Sequence, residues 1–374
     1  MRRLLLPIFL LTLKAADTPD LKKTPTLYVV GYAHLDTEWN WDYVTTIGQY
    51  LPRTMHDNFD LFEKYPHYIF NFTGANRYRM MKEYYPLDYK KVKQYVDSGR
   101  WYPAGSSMEE GDVNAPSAEA ILREILYGNK WFQREFGKSS GEYMLPDCFG
   151  FPASLPSILA HAGIKGFSTQ KLSANWQPAP HVGGPDSPEK TPLGIPFNVG
   201  LWIGPDGKSV IAALNPLSYG SNVTYDLSKT PPPPPPVDPN AVAGRGGRGG
   251  RGGAMEDWTK RVQINGDLTG IFADYHYVGT GDVGGSPQPD SVRVMEDIIT
   301  KKMDAPPQPR IGGGRGAAPP PPPAPAGPPI QYGDGPLKVT WSNADQIFKD
   351  MIACCSLERL PKYQGDLELI NHSA

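Results

Sequence analysis

The sequence predicts an α/β fold on a mostly parallel sheet, barrel-like or doubly wound, and three observations carry that expectation. Short apolar, β-branched or aromatic runs recur between residues 26 and 170, separated by loops and helical stretches. The helical stretches carry periodic apolar faces with proline starts and glycine stops. The first apolar run ends on His34, Asp36, Glu38 and Asp42, a polar cluster where parallel strands gather ligands.

In chain order the strand candidates are "TLYVVGY" from residue 26, "YIFNFTG" from 68, "RWYPAGS" from 100, "EYMLP" from 142 and "KGFSTQ" from 165. Between them, "SAEAILREILYGNKWFQREFG" follows Pro116, places Ile121, Leu122, Ile125 and Leu126 on one helical face, and stops at Gly137. "SLPSILAHAG" is a second helix with its stop at Gly163. Further on, "FADYHYVGTGDVGGSP" reads as an aromatic strand running into a glycine-rich turn that holds Asp282. "LKVTWSNADQIFKDMI" reads as a strand, a loop with Ser342 or Asn343 as cap, and a helix.

Two tracts interrupt this order. Residues 230–256 and 305–335 are rich in proline and glycine, bury too little apolar area to offset backbone ordering, and are expected to be disordered insertions. The RGG units of the first lack the interleaved aromatics that stack bases, so no nucleic-acid partner is expected. The net charge of −2 over 374 residues also argues against a globally basic nucleic-acid binder.

Residues 1–16, two arginines, an apolar run from Leu4 to Leu13 and then Ala15 and Ala16, read as a signal peptide too short for a stable membrane span. An exported, periplasmic or extracellular protein is the expectation. Three cysteines, Cys148, Cys354 and Cys355, make no disulfide framework, and Cys148 reads as a small buried side chain. The α/β domain is therefore expected over 17–229, 257–304 and 336–374. The final "GDLELINHSA" reads as a chain cut inside a larger fold, at the start of a C-terminal helical region.

The chemistry sits at the strand ends. His34 and Asp36 close the first strand, and Asp147 follows "EYMLP", so two strand ends bring an imidazole and two carboxylates to one rim. Such mixed nitrogen and oxygen donors suit zinc ahead of manganese or calcium. Trp39 and Trp41 can stack on a pyranose face, and Glu109, Glu110 and Asp112 follow another strand end. Taken singly, Asp282 is a turn residue and Lys171 a surface lysine.

Together, "GYAHLDTEWNW", "MLPDCFGFPASLPSILAHAGIKGFSTQKLS" and "YVGTGDVGGSP" resemble the glycoside hydrolase family 38 α-mannosidases of bacterial and cytosolic-vacuolar type. The resemblance implies a parallel (β/α) barrel-like catalytic domain followed by a helical bundle, and a retaining, zinc-dependent exo-α-mannosidase acting on α-mannosides. By motif, His34, Asp36 and Asp147 match zinc ligands, Asp147 also the nucleophile, Asp282 the general acid/base, and Trp39 an aromatic of the sugar subsite. Lys171 stands near a position where the family often has a basic residue. A fourth zinc ligand, a histidine in the helical portion, is expected beyond residue 374. The alternatives are a metal-dependent carbohydrate deacetylase, which needs a metal-bound water in place of carboxylate attack, and an inactive carbohydrate-binding fragment.

Overall fold

The structure, a computed structural model, describes residues 19–172, 196–231, 255–300 and 337–367. The expected signal peptide and nearly all of both expected insertions lie outside the described residues.

All five strand candidates of the first part are strands: β1 (Thr26–Ala33), β2 (Phe70–Thr73), β3 (Trp101–Ala104), β4 (Glu142–Met144) and β5 (Gly166–Ser168). They are followed by β6 (Val199–Ile203), β7 (Ser209–Ala213), β8 (Ala273–Thr280), β9 (Lys338–Trp341) and β10 (Lys362–Gln364). Two five-stranded sheets result. In the first the order is β3-β2-β1-β8, with β9 also paired to β1, and every pairing is parallel. The second runs β10-β6-β7-β5-β4 and is parallel apart from the β6–β7 hairpin. Of the expected fold, the α/β class and the parallel sheets are observed, while hydrogen bonding among the described strands does not join the two sheets into one ring.

The two sheets share an apolar core. Along β1, Leu27 and Val29 pack outward among helices while Tyr28, Val30 and Tyr32 pack inward with Met144, Ile211 and Ala213 of the second sheet. Successive side chains of a strand point to opposite faces, so a strand buried on both faces must be apolar throughout, as "TLYVVGYA" is. A third cluster, with Phe167, Trp202 and Leu159, covers the outer face of the second sheet.

The helices follow local signals. A continuous helical segment runs from α1 (Tyr43–Thr45), capped by Asp42, through a π-turn at Thr46–Tyr50 into α2 (Leu51–Lys64), which buries Leu51, Met55, Phe59 and Phe62. Next come α3 (Ala75–Tyr84), α4 (Pro86–Asp97) and α5 (Ala118–Phe136). In α5 the Ser117 side chain accepts from the backbone of Ala120, and Gly137 closes the helix in the left-handed region. Its buried stripe differs from expectation: Ile121 and Ile125 face inward, but Leu122 and Leu126 are exposed, and the stripe continues through Gly128 to Phe132 and Phe136. Then come α6 (Leu155–His161), α7 (Trp258–Thr269), α8 (Pro289–Thr300) and α9 (Gln346–Cys354). The cap residue of α9 is Asp345 and not Ser342 or Asn343. Cys148 is buried and free as expected, whereas the adjacent Cys354 and Cys355 are joined in a disulfide. Among the described residues no helix is long and apolar enough to cross a membrane.

Candidate functional site

The carboxyl ends of β1, β3, β4, β5, β7 and β8 supply the polar groups of one site. His34 follows β1 directly, and its backbone N–H donates to Thr280 at the end of β8 (3.0 Å). The loop after β8 folds back over it: Asp36 N–H donates to Asp282 O (2.9 Å) and Gly284 N–H to His34 O (2.8 Å). This clasp brings Asp282, itself in the left-handed region (φ 69°), beside Asp36.

The imidazole, buried in the rim, has two differently employed edges. Nε2 lies 3.1 Å from Asp36 Oδ1 and 3.6 Å from Asp147 Oδ2. One ligand atom from each of His34, Asp36 and Asp147 falls within 4.8 Å of the others, the one such group among the described residues. The sequence expectation that these three share a rim is met in space. An imidazole nitrogen and two carboxylates so close together are a donor set that fits a divalent cation.

Nδ1 turns the other way, toward Glu110. Oε2 of Glu110 lies 3.1 Å from Nδ1, as a charge contact without hydrogen-bond alignment, while the Tyr32 hydroxyl lies 3.1 Å from Nδ1 and donates to Glu110 Oε1 (2.6 Å). Thr73 also donates to Oε1, and Arg77 Nη1 reaches it at 3.0 Å. The Glu110 side chain is 2% exposed. Burial favours its neutral form, but His34 and Arg77 outweigh that and hold the carboxyl down at about 2. Burial likewise opposes charge on His34, and the carboxylates of Glu110 and Asp36 overcome it, raising the imidazole to about 10.

Around this core stand three more residues. Lys171, expected from its own residue type to be a surface lysine, is mostly buried, pairs with Asp147 Oδ1, and sits 4.7 Å above the Phe149 ring. Tyr219, after β7, stacks on His34 (centroids 5.0 Å, 23°) and donates to Asp282 Oδ1 (2.9 Å). Burial, then the charges of Asp147, Asp282 and Asp36, push its phenol well up, so it stays a neutral donor. A Cβ on Gly281 would strike the Tyr219 ring, so glycine there makes room for it. Trp39 is 50% exposed at the rim, edge-on to Trp41, whose indole N–H donates to the Asp36 carbonyl (3.2 Å).

Sequence reasoning missed Tyr219, Tyr32 and Arg77 as members of this site. It noted Glu110 only as one of several carboxylates after a strand. The carboxylate run after β3 was the available signal.

Residues 24–245 match the Glycosyl hydrolases family 38 N-terminal domain. The chain is 35% identical over 190 residues to alpha-mannosidase G of Dictyostelium discoideum, covering 51% of this chain and 16% of that protein. It is 34% identical over 196 residues to human alpha-mannosidase 2C1, covering 52% and 17%. The chain thus spans about a sixth of the length of these relatives. Its fold is similar to the crystal structure of an alpha-mannosidase from Enterococcus faecalis V583, with a TM-score of 0.59 at 16% identity over 92% of this chain and 31% of that one. With a family match over more than half of its residues, the chain belongs to glycosyl hydrolase family 38.

Proposed function

We propose that this chain carries the catalytic centre of a retaining, zinc-dependent exo-α-mannosidase. The observation that carries the reading is the convergence of His34, Asp36 and Asp147 within 4.8 Å, with Asp282 clasped against Asp36. Its curated relatives bear the name alpha-mannosidase.

His34, Asp36 and Asp147 would hold the zinc, which supplies positive charge that favours ionised carboxylates and polarises sugar hydroxyls. Asp147 is the nucleophile: its carboxylate forms a bond to the anomeric carbon as the glycosidic bond breaks, and Asp282 gives its proton to the leaving oxygen. A water then attacks the glycosyl–Asp147 ester, losing its proton to Asp282, and mannose leaves with retained configuration. Tyr219, donating to Asp282 Oδ1, orients that carboxyl, and Lys171 offsets charge at Asp147. Trp39, half-exposed at the rim, offers a stacking face to the sugar.

The test is hydrolysis of an aryl α-mannoside by the zinc-loaded chain beside Asp147→Asn. The variant should lose turnover by roughly three orders of magnitude or more while keeping its fold. Normal hydrolysis by Asp147→Asn refutes the assignment, and acetate release from an acetylated glycan with no mannose released favours the deacetylase reading.

A further inference from the structure

We infer that Glu110 is a positioning residue for the metal-binding imidazole: with Tyr32 and Arg77 it keeps the His34 proton on Nδ1 and leaves the Nε2 lone pair facing Asp36 and Asp147. The inference rests on the proposed metal site and adds a residue that takes no direct part in it. A cation seated between Nε2 and the carboxylates of Asp36 and Asp147 takes the place of the Nε2 proton, leaving a neutral imidazole with one proton, and the neighbours of Nδ1 decide how well that proton is held. On the Nδ1 edge stand Glu110 Oε2 and the Tyr32 hydroxyl, each at 3.1 Å. The hydroxyl is committed as a donor to Glu110 Oε1 (2.6 Å), so its lone pairs are what it presents to the ring. With a carboxylate and a committed hydroxyl on that edge, a proton on Nδ1 is stabilised and a lone pair there is repelled.

The carboxylate can serve only if it stays ionised and still. Arg77 Nη1 at 3.0 Å supplies the compensating charge within the protein, and the Thr73 and Tyr32 hydroxyls occupy Oε1. Glu110 and Arg77 therefore add no net charge to the site. The backbone ahead of Glu110 is anchored as well, because Glu124 of α5 accepts from the N–H groups of Met108 (3.1 Å) and Glu109 (3.0 Å). A carboxylate behind a metal-bound histidine orients the ring and raises its basicity, and its loss costs affinity.

The experiment is a competition titration of Zn2+ into the chelator-stripped, full 374-residue chain, together with the visible spectrum of the Co2+-loaded form. Glu110→Gln should bind Zn2+ roughly 10- to 100-fold more weakly than wild type and give a shifted Co2+ spectrum, with its far-ultraviolet circular dichroism unchanged. Wild-type affinity and spectrum in that variant overturn the inference. Should Glu110→Gln fail to fold, Tyr32→Phe removes the hydroxyl between ring and carboxylate and is expected to weaken Zn2+ binding several-fold; unaltered binding there overturns the inference equally. A wild-type chain that binds no Zn2+ sinks this inference and the zinc reading together. Loss of affinity in the variants of a protein that cleaves no mannoside upholds the inference and removes the glycosidase reading alone.

Discussion

His34 and His276 are both buried, yet their surroundings drive them in opposite directions. Around His34 the carboxylates outnumber the cations and overcome burial. His276 lies against Trp258 in a tilted contact (centroids 4.4 Å, 39°) with Nδ1 3.0 Å from the Pro216 carbonyl, and burial, with a smaller contribution from nearby Arg261, lowers it to about 3. A base depressed in the folded state contributes stability above its unfolded value of about 6.5, and that contribution is lost as pH falls toward 3. His276→Asn keeps a donor for the carbonyl without a titrating ring. The unfolding free energy of wild type relative to that variant, measured in urea, should therefore fall by up to a few kcal/mol between about pH 6.5 and 3. Parallel pH curves for the two proteins count against this account.

Helix α5 does more than cover the sheet. Its Gly128 lies against the turn that leads to Glu110: an added Cβ would come within 2.3 Å of the Ser107 carbonyl carbon. The same turn accepts backbone N–H groups from the start of α3, Ala75 to Ser107 O (3.0 Å) and Asn76 to Met108 O (3.0 Å), which satisfies donors a helix leaves free at its N-terminus. Gly128→Ala is expected to cost about 1 to 3 kcal/mol by overpacking and to weaken metal binding by displacing the turn. Gly48, in the π-turn, has nothing within 4 Å of an added Cβ and no positive φ. Gly48→Ala should be neutral or stabilise by up to about 1 kcal/mol. Chemical denaturation of both variants decides: equal effects would mean that the close approach at Gly128 carries no cost.

Across the molecule, two sheets meet over a shared apolar core and helices pack outside, so the site is framed by loops from both halves. His34, Asp36 and Asp282 come from the first sheet, Asp147, Lys171 and Tyr219 from the second. A cation bound between them ties the halves together only in the folded state, because the unfolded chain has no assembled donor set. Zn2+ should accordingly raise the melting temperature of the chelator-treated protein in a saturable way, by a stabilisation of about 2.7 kcal/mol when free metal stands at one hundred times its dissociation constant. Calorimetry that finds no dependence on Zn2+ concentration would rule out a site linked to folding.

Much of this was legible in the chain. The strands β1 to β5, the limits of α5 and α6, and the placement of His34, Asp36 and Asp147 at strand ends follow from periodicity, capping residues and glycine stops, which act over a few residues. The β6–β7 hairpin was also written locally, in the Gly204-Pro-Asp-Gly207 turn, and went unread beside the long low-complexity tracts. What no local pattern contained was the second ring of contacts. That Arg77 would neutralise Glu110, that Tyr32 would bridge Glu110 to His34, that Tyr219 would stack on His34, and that Lys171 would turn inward depend on segments from 24 to 185 residues apart meeting at distances of a few ångströms. Those meetings are set by how two sheets stack and where their loops end. A strand end proclaims a polar residue through its own neighbours, but the partner that fixes its charge and direction arrives only with the packed core.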